Sequence, residues 1–243
     1  LAAILIAVFL CGEVAAQQNL FNVPSAEITV EDHYFLQQQL NFTSSTVSNT
    51  TFDYGLGHNA EIGANIFLDS TDLYSPKTGT APNLLLNGQK CFEFSEHYKL
   101  GLGTESGMET PIGQGRGHFS DFTYLTNAFN FDRKGKYYFG GYYANQAFGG
   151  GNTPVGVTLG FDYPVVSRHF NVVGDFISGN GSISVGVVGV TFYVWHDWQL
   201  SLGSQIPAPN SHNEHGVVVE FTNLNFIERH PAAAQYSSTP SRP

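Results

Sequence analysis

Val155-Gly-Val-Thr-Leu-Gly-Phe-Asp-Tyr163 places a large apolar side chain at every second position, with Gly156, Thr158, Gly160 and Asp162 between them. Successive side chains of a strand point to opposite faces, so this stretch carries one greasy face and one small or polar face. Tyr98, Leu100 and Leu102 repeat the pattern against Lys99, Gly101 and Gly103, and Trp198, Leu200 and Leu202 repeat it against Gln199, Ser201 and Gly203. A sandwich strand also buries an apolar face, but its second face rarely carries so much glycine. Lipid on one side and a wet lumen on the other give this division directly.

Segments of this kind recur along the chain. Twelve are expected, at about 30–43, 50–57, 60–69, 83–94, 97–107, 117–131, 136–147, 153–164, 169–178, 182–194, 197–205 and 214–226. Gly57-His-Asn59, Asp132-Arg-Lys-Gly-Lys136, Ser167-Arg-His169 and Trp195-His-Asp197 read as tight connections. Longer ones fall at 44–49, 70–82, 108–117, 148–152, 179–181 and 205–213. Short turns on one side, longer loops on the other and an even strand count are the grammar of an outer-membrane barrel. Strands of ten residues rise ~33 Å and, tilted at ~45°, cross the hydrocarbon layer. The fold class expected is therefore all-β, a transmembrane antiparallel up-and-down β-barrel of about twelve strands, located in the bacterial outer membrane. Two stretches fit poorly. Gln38 interrupts the set Tyr34, Leu36, Leu40, Phe42, and the apolar face switches after Phe221, which a bulge near Thr222 would reconcile.

Composition agrees. Only 12% of residues are charged, against ~25% in globular proteins, while Gly (27), Phe (20) and Tyr (12) are abundant. Mean hydropathy is −0.11, which excludes a helical membrane protein. A net charge of −10 with only 10 Lys and Arg excludes a nucleic-acid partner. Leu1–Leu10 is a short apolar run followed by Val14-Ala-Ala16, which reads as a signal peptide over 1–16 truncated at its start. Residues 17–29 are expected as an N-terminal periplasmic segment, 30–226 as the barrel, and 227–243, rich in Pro, Ser and Ala, as a disordered tail. Cleavage after Ala16 leaves Cys91 as the sole cysteine, so no internal disulfide and no cysteine-based metal cage is expected.

Phe52-Asp-Tyr-Gly-Leu-Gly-His-Asn-Ala-Glu-Ile-Gly63, Phe161-Asp-Tyr-Pro164 through Gly174-Asp-Phe-Ile-Ser-Gly179, and Leu200-Ser-Leu-Gly-Ser-Gln-Ile-Pro207 resemble stretches of the outer-membrane transporters named for the meta pathway of phenol degradation. The resemblance covers most of 25–226. It implies a porin-like transporter and offers no catalytic residues to carry over.

Charged and amide side chains opposite apolar sets are expected to line the lumen, since charge facing lipid is costly. These are Gln37, Gln39, Asn41, Glu61, Asn65, Lys99, Glu105, Asp121, Asp162, Asp175 and Glu220. Trp195, Trp198, Tyr137, Tyr138, Phe139, Tyr142 and Tyr143 are expected in interfacial girdles. His118-Phe-Ser120 places an imidazole and a hydroxyl on one strand face, as in outer-membrane lipid hydrolases, but Asp132, the nearest orienting acid on that parity, lies ~40 Å along the strand. His212-Asn-Glu-His215 reads as a solvated loop more readily than as a metal site. The function expected is passage of a small solute by passive or facilitated diffusion, without cofactor or catalysis, in contact with outer-membrane lipid and the barrel-insertion machinery. A lipid hydrolase built on His118 and Ser120 and a soluble secreted β-rich binding module are the alternatives.

Overall fold

The computed structural model describes residues 20–68, 82–109, 117–166, 170–195 and 197–224. Twelve strands occur among them: β1 Tyr34–Phe42, β2 Thr46–Gly57, β3 Ala60–Leu68, β4 Pro82–Ser95, β5 Tyr98–Glu109, β6 Phe119–Asn130, β7 Lys136–Ala144, β8 Val155–Val166, β9 Phe170–Ile177, β10 Val185–Trp195, β11 Trp198–Pro207 and β12 Gly216–Asn223. Each pairs antiparallel with its sequence neighbours, and β1 pairs with β12 to close the barrel. Closure leaves no unpaired strand edge, the requirement for a sheet that crosses lipid. The signal peptide and the tail expected at 1–16 and 227–243 lie outside the described residues.

The alternation seen in sequence sorts the two faces. Leu86 (70% exposed), Phe92, Leu102, Leu125, Phe139, Leu159, Leu202 and Phe221 stand outward and form an apolar belt. At the turn-side rim Phe94, Tyr98 and Phe129 stack in succession, and Trp198 stacks on Phe221 with ring centroids 4.5 Å apart. Such rings suit the membrane–water interface. Tyr137, Phe139 and Tyr143 share this outer face, but Tyr138 and Tyr142, expected in the same girdle, are buried inside the barrel. They carry even residue numbers, against the odd numbers of the outward rings, and a period of two puts them on the other side.

Five further details refine the sequence reading. The β1–β2 connection is three residues, 43–45, because β2 begins at Thr46. β12 runs in regular register against both neighbours, with no bulge at Thr222, and Leu224 lies just past its end. Gln38 does face outward, and its amide is satisfied there by the hydroxyls of Ser48 and Thr50 across the β1–β2 pair. β1 starts at Tyr34 rather than Val30, since Asp32 takes a left-handed backbone (φ 62°) that breaks the strand. Residues 20–29, ahead of that break, lie inside the barrel, whereas the sequence reading places 17–29 as a periplasmic segment.

Candidate functional site: a lumen occupied by the chain's own N-terminal segment

Leu20, Phe21, Val23, Ser25 and Ala26 are each at most 2% exposed, although they belong to no strand. The barrel wall holds them from all sides. On β9, one carboxylate oxygen of Asp175 accepts the backbone N–H groups of Phe21, Asn22 and Val23 at 2.5–3.0 Å. Gln39 of β1 donates to the Asn22 side chain, and Thr126 of β6 donates to the Pro24 carbonyl. Gln89 of β4 donates to the carbonyls of Ser25 and Glu27. Glu61 of β3 accepts both the N–H and the O–H of Thr29. A segment without a strand ladder must still satisfy its backbone groups once buried, and here the lumen side chains do so.

The wall glycines have the same origin. A Cβ on Gly203 would sit 2.9 Å from the Phe21 ring, one on Gly101 3.2 Å from Ala26, and one on Gly160 would run into Leu20. Gly55 faces the carbonyls of Thr29 and Val30, next to the Glu31–Gly55 bridge. The small residues opposite the apolar sets thus make room for a peptide.

Glu27 is the electrostatic centre of the segment. Lys136 reaches its Oε1 at 2.6 Å and Lys99 its Oε2 at 3.0 Å, and Lys99 also meets Glu93 at 3.0 Å. Burial alone would raise the Glu27 pKa; the charges of Lys136 and Lys99 and their hydrogen bonds outweigh it and hold the carboxyl below the usual glutamate range.

The opposite mouth is filled from the loops. The β7–β8 connection folds inward through a short helix, α1 (Gln146–Gly149), whose N-cap Asn145 accepts the Phe148 N–H. The Phe148 ring stacks on Phe122 at 5.0 Å and meets Phe67 edge-on at 6.2 Å. The connections after β9 and β11 lock over it: Ser182 N–H donates to Gly149, and the Asn213 amide donates to the carbonyls of Gly181 and Ser184. Phe122, Tyr124, Tyr142, Ile177 and Val187 join Leu20, Phe21, Val23 and Ala26 in one interior cluster.

Of the residues expected in the lumen, Gln37, Gln39, Asn41, Glu61, Asn65, Lys99, Glu105, Asp162, Asp175 and Glu220 face inward. Asn65 donates to Glu105, Asn41 to Gln205, Asn171 to Asp162, and Ser201 to Glu220. Asp121 does not join them. Ser120, Phe122 and Tyr124 take the inner positions of β6, so Asp121 stands on the outer face, where the Ser106 hydroxyl donates to it. Sequence reasoning passed over Asp53, Gln89 and Lys136. Asp53 alternates with Phe52 and Tyr54, and that signal was available; Lys136 was read as part of a turn. Glu27 had no strand pattern to reveal it.

Around Ser120, the described residues do not assemble a nucleophile and base. Its hydroxyl accepts from the Asn83 amide, His118 is exposed ahead of β6, and Asp132 lies beyond the far end of that strand. No group of three His, Cys, Asp or Glu able to hold a metal occurs among the described residues. Glu214 instead accepts the Ser44 backbone N–H.

No family model and no curated protein matches the chain. Solved structures do. The barrel is similar to the KdgM porin, with a TM-score of 0.60 at 7% identity over 78% of this chain and 98% of that one. It is similar also to the KdgM porin in complex with disordered oligogalacturonate, with a TM-score of 0.57 at 8% identity and the same coverage of 78% and 98%. The chain has a porin-type barrel fold.

Proposed function

We propose that this protein is an outer-membrane barrel that passes a small solute by diffusion through its lumen, and that residues 20–29 close the lumen in the conformation described here. The observation that carries this reading is the pairing of a lipid-suited outer face with a hydrogen-bonding inner face around a peptide that is not part of the wall. A barrel serving only as an anchor could fill its interior with apolar side chains. This one surrounds its segment with Asp175, Gln89, Glu61, Lys99 and Lys136, contacts that water or solute can replace one by one. The fold shared with the KdgM porin supports the same reading, and the solute in that protein's complex makes a polar, acidic cargo one candidate class. The stretches at 52–63, 161–179 and 200–207 support kinship with the phenol meta-pathway transporters.

Planar-bilayer recording tests the proposal. The unchanged chain is expected to rest in a low-conductance state with brief openings, and Asp175→Ala is expected to lengthen them. A folded, heat-modifiable barrel that passes no current in either form would sink the passage reading.

A further inference from the structure

We infer that Lys99 and Lys136 form a binding site for a solute carboxylate, which Glu27 of the inner segment occupies as a stand-in. The inference rests on the passage reading and names the solute class for it.

Two ammonium groups from strands on either side of β6 converge on one carboxylate, one to each oxygen, at 3.0 and 2.6 Å. This is the arrangement by which paired cations hold a free carboxylate. The occupant belongs to the segment rather than the wall, and the ladder contact of that segment is the Glu31–Gly55 bridge. Beside the site lies a cavity of about 610 Å³ at the turn-side mouth, lined by Glu27, Glu93, His97, Lys99, Asn130 and Lys136. Glu93 and His97 at its rim are exposed, so the cavity is reached from that side. The rest of the inner wall is acidic through Asp53, Glu61, Glu105, Asp162, Asp175 and Glu220, and offers an anion no other lysine pair among the described residues. When the segment withdraws, Glu93 still balances Lys99, while Lys136 loses its 2.6 Å contact and keeps only Asp162, its cross-strand neighbour on β8. Losing that close contact is unfavourable for a half-buried ammonium, and an incoming carboxylate restores it. Solute entry and withdrawal of the segment are therefore coupled, because both carboxylates compete for the same two cations. The polar rim favours a carboxylate on a hydroxylated body.

D-glucuronate and D-glucose differ in that one group and serve as probes. Hydrogen exchange of residues 20–33, followed on the full chain folded in detergent, is expected to rise saturably with glucuronate and to stay flat with glucose. In Glu27→Gln the stand-in is gone, and glucuronate, read by titration calorimetry, is expected to bind at least about tenfold tighter, since the competent state no longer has to be freed. Lys136→Gln is expected to abolish the difference between the two sugars. Equal responses to glucuronate and glucose on the unchanged chain overturn the inference, whether or not the variants fold. So does glucuronate binding that survives Lys136→Gln. Neither readout needs conductance: binding without current removes the passage reading and leaves this site standing, and current without a carboxylate effect does the reverse.

Discussion

Replacing Asp175 with alanine separates the stability of the inner segment from that of the barrel. Asp175 holds the segment through three backbone N–H groups on one carboxylate oxygen, at 2.5–3.0 Å. A hydrogen bond to a charged group contributes about 1.5–3 kcal/mol. Three bonds sharing one acceptor are not additive, so about 3–6 kcal/mol is a reasonable span for the loss. The amides of Phe21, Asn22 and Val23 would then face an apolar alanine, and opening the segment to water becomes the cheaper state. At about 1.4 kcal/mol per decade, their exchange is expected to accelerate by two to four orders of magnitude. The barrel should respond differently. Asp175 is a buried carboxylate, and removing it spares the wall a desolvation cost, so the sheet amides of β9 and the heat-modifiable gel shift are expected to stay within normal range. The assay is residue-resolved hydrogen exchange in detergent, comparing 21–23 with the β8–β9 and β9–β10 ladders. Unchanged protection at Phe21–Val23 would refute the claim that Asp175 anchors the segment. Equal loss in segment and sheet would show that they unfold as one unit.

Three further outcomes follow from the same contacts. Gly203→Ile should drive a side chain into Phe21 and Val187 and loosen the segment by about 1–3 kcal/mol, read as faster proteolysis near residues 20–30 while the barrel core resists. Glu27 has a depressed pKa in the folded state, so its ion pairs with Lys99 and Lys136 stabilise the segment fully above the ordinary glutamate value of 4.5 and are lost as pH falls through the lowered one. The contribution of Glu27, read as the difference in exchange at 27–29 between the unchanged chain and Glu27→Gln, should therefore be constant from neutral pH to about 5 after correction for intrinsic rate and shrink below 4.5. Phe148→Ala should cost about 2 kcal/mol, roughly half the value for a fully buried ring, seen as a lower unfolding midpoint by circular dichroism in detergent.

The wall was legible in the sequence because period-two alternation is local. Val155–Tyr163 declares its two faces without reference to any partner, and the even strand count with tight turns at Gly57–Asn59 and 131–135 fixes the up-and-down order. The lumen residues followed from the same rule, and Asp121 failed it for a simple reason. In β6 large apolar side chains occupy both faces, with Phe119, Leu125 and Phe129 outside and Phe122 and Tyr124 inside, so apolarity does not tell the faces apart, and a misjudged face moves every side chain. The inner segment was not legible. Leu20–Asp32 has no period, and its order comes from contacts with strands far along the chain, such as Phe21 with Asp175. The one trace in sequence was the glycine on the inner face at positions 101, 160 and 203. It was read as suiting a wet lumen, and it in fact makes space for Ala26, Leu20 and Phe21.

The central claim, that residues 20–29 sit in the lumen and control passage, can be tested by locking them there. The side chain of Ala26 and a Cβ at Gly101 would lie 3.2 Å apart, close to disulfide reach, so Ala26→Cys/Gly101→Cys in a background with Cys11 and Cys91 replaced by alanine joins segment to wall. The account predicts that single barrels in a planar bilayer are silent when oxidised and open reversibly on reduction. Conductance that is identical in the two redox states, with the disulfide shown to have formed, would contradict it.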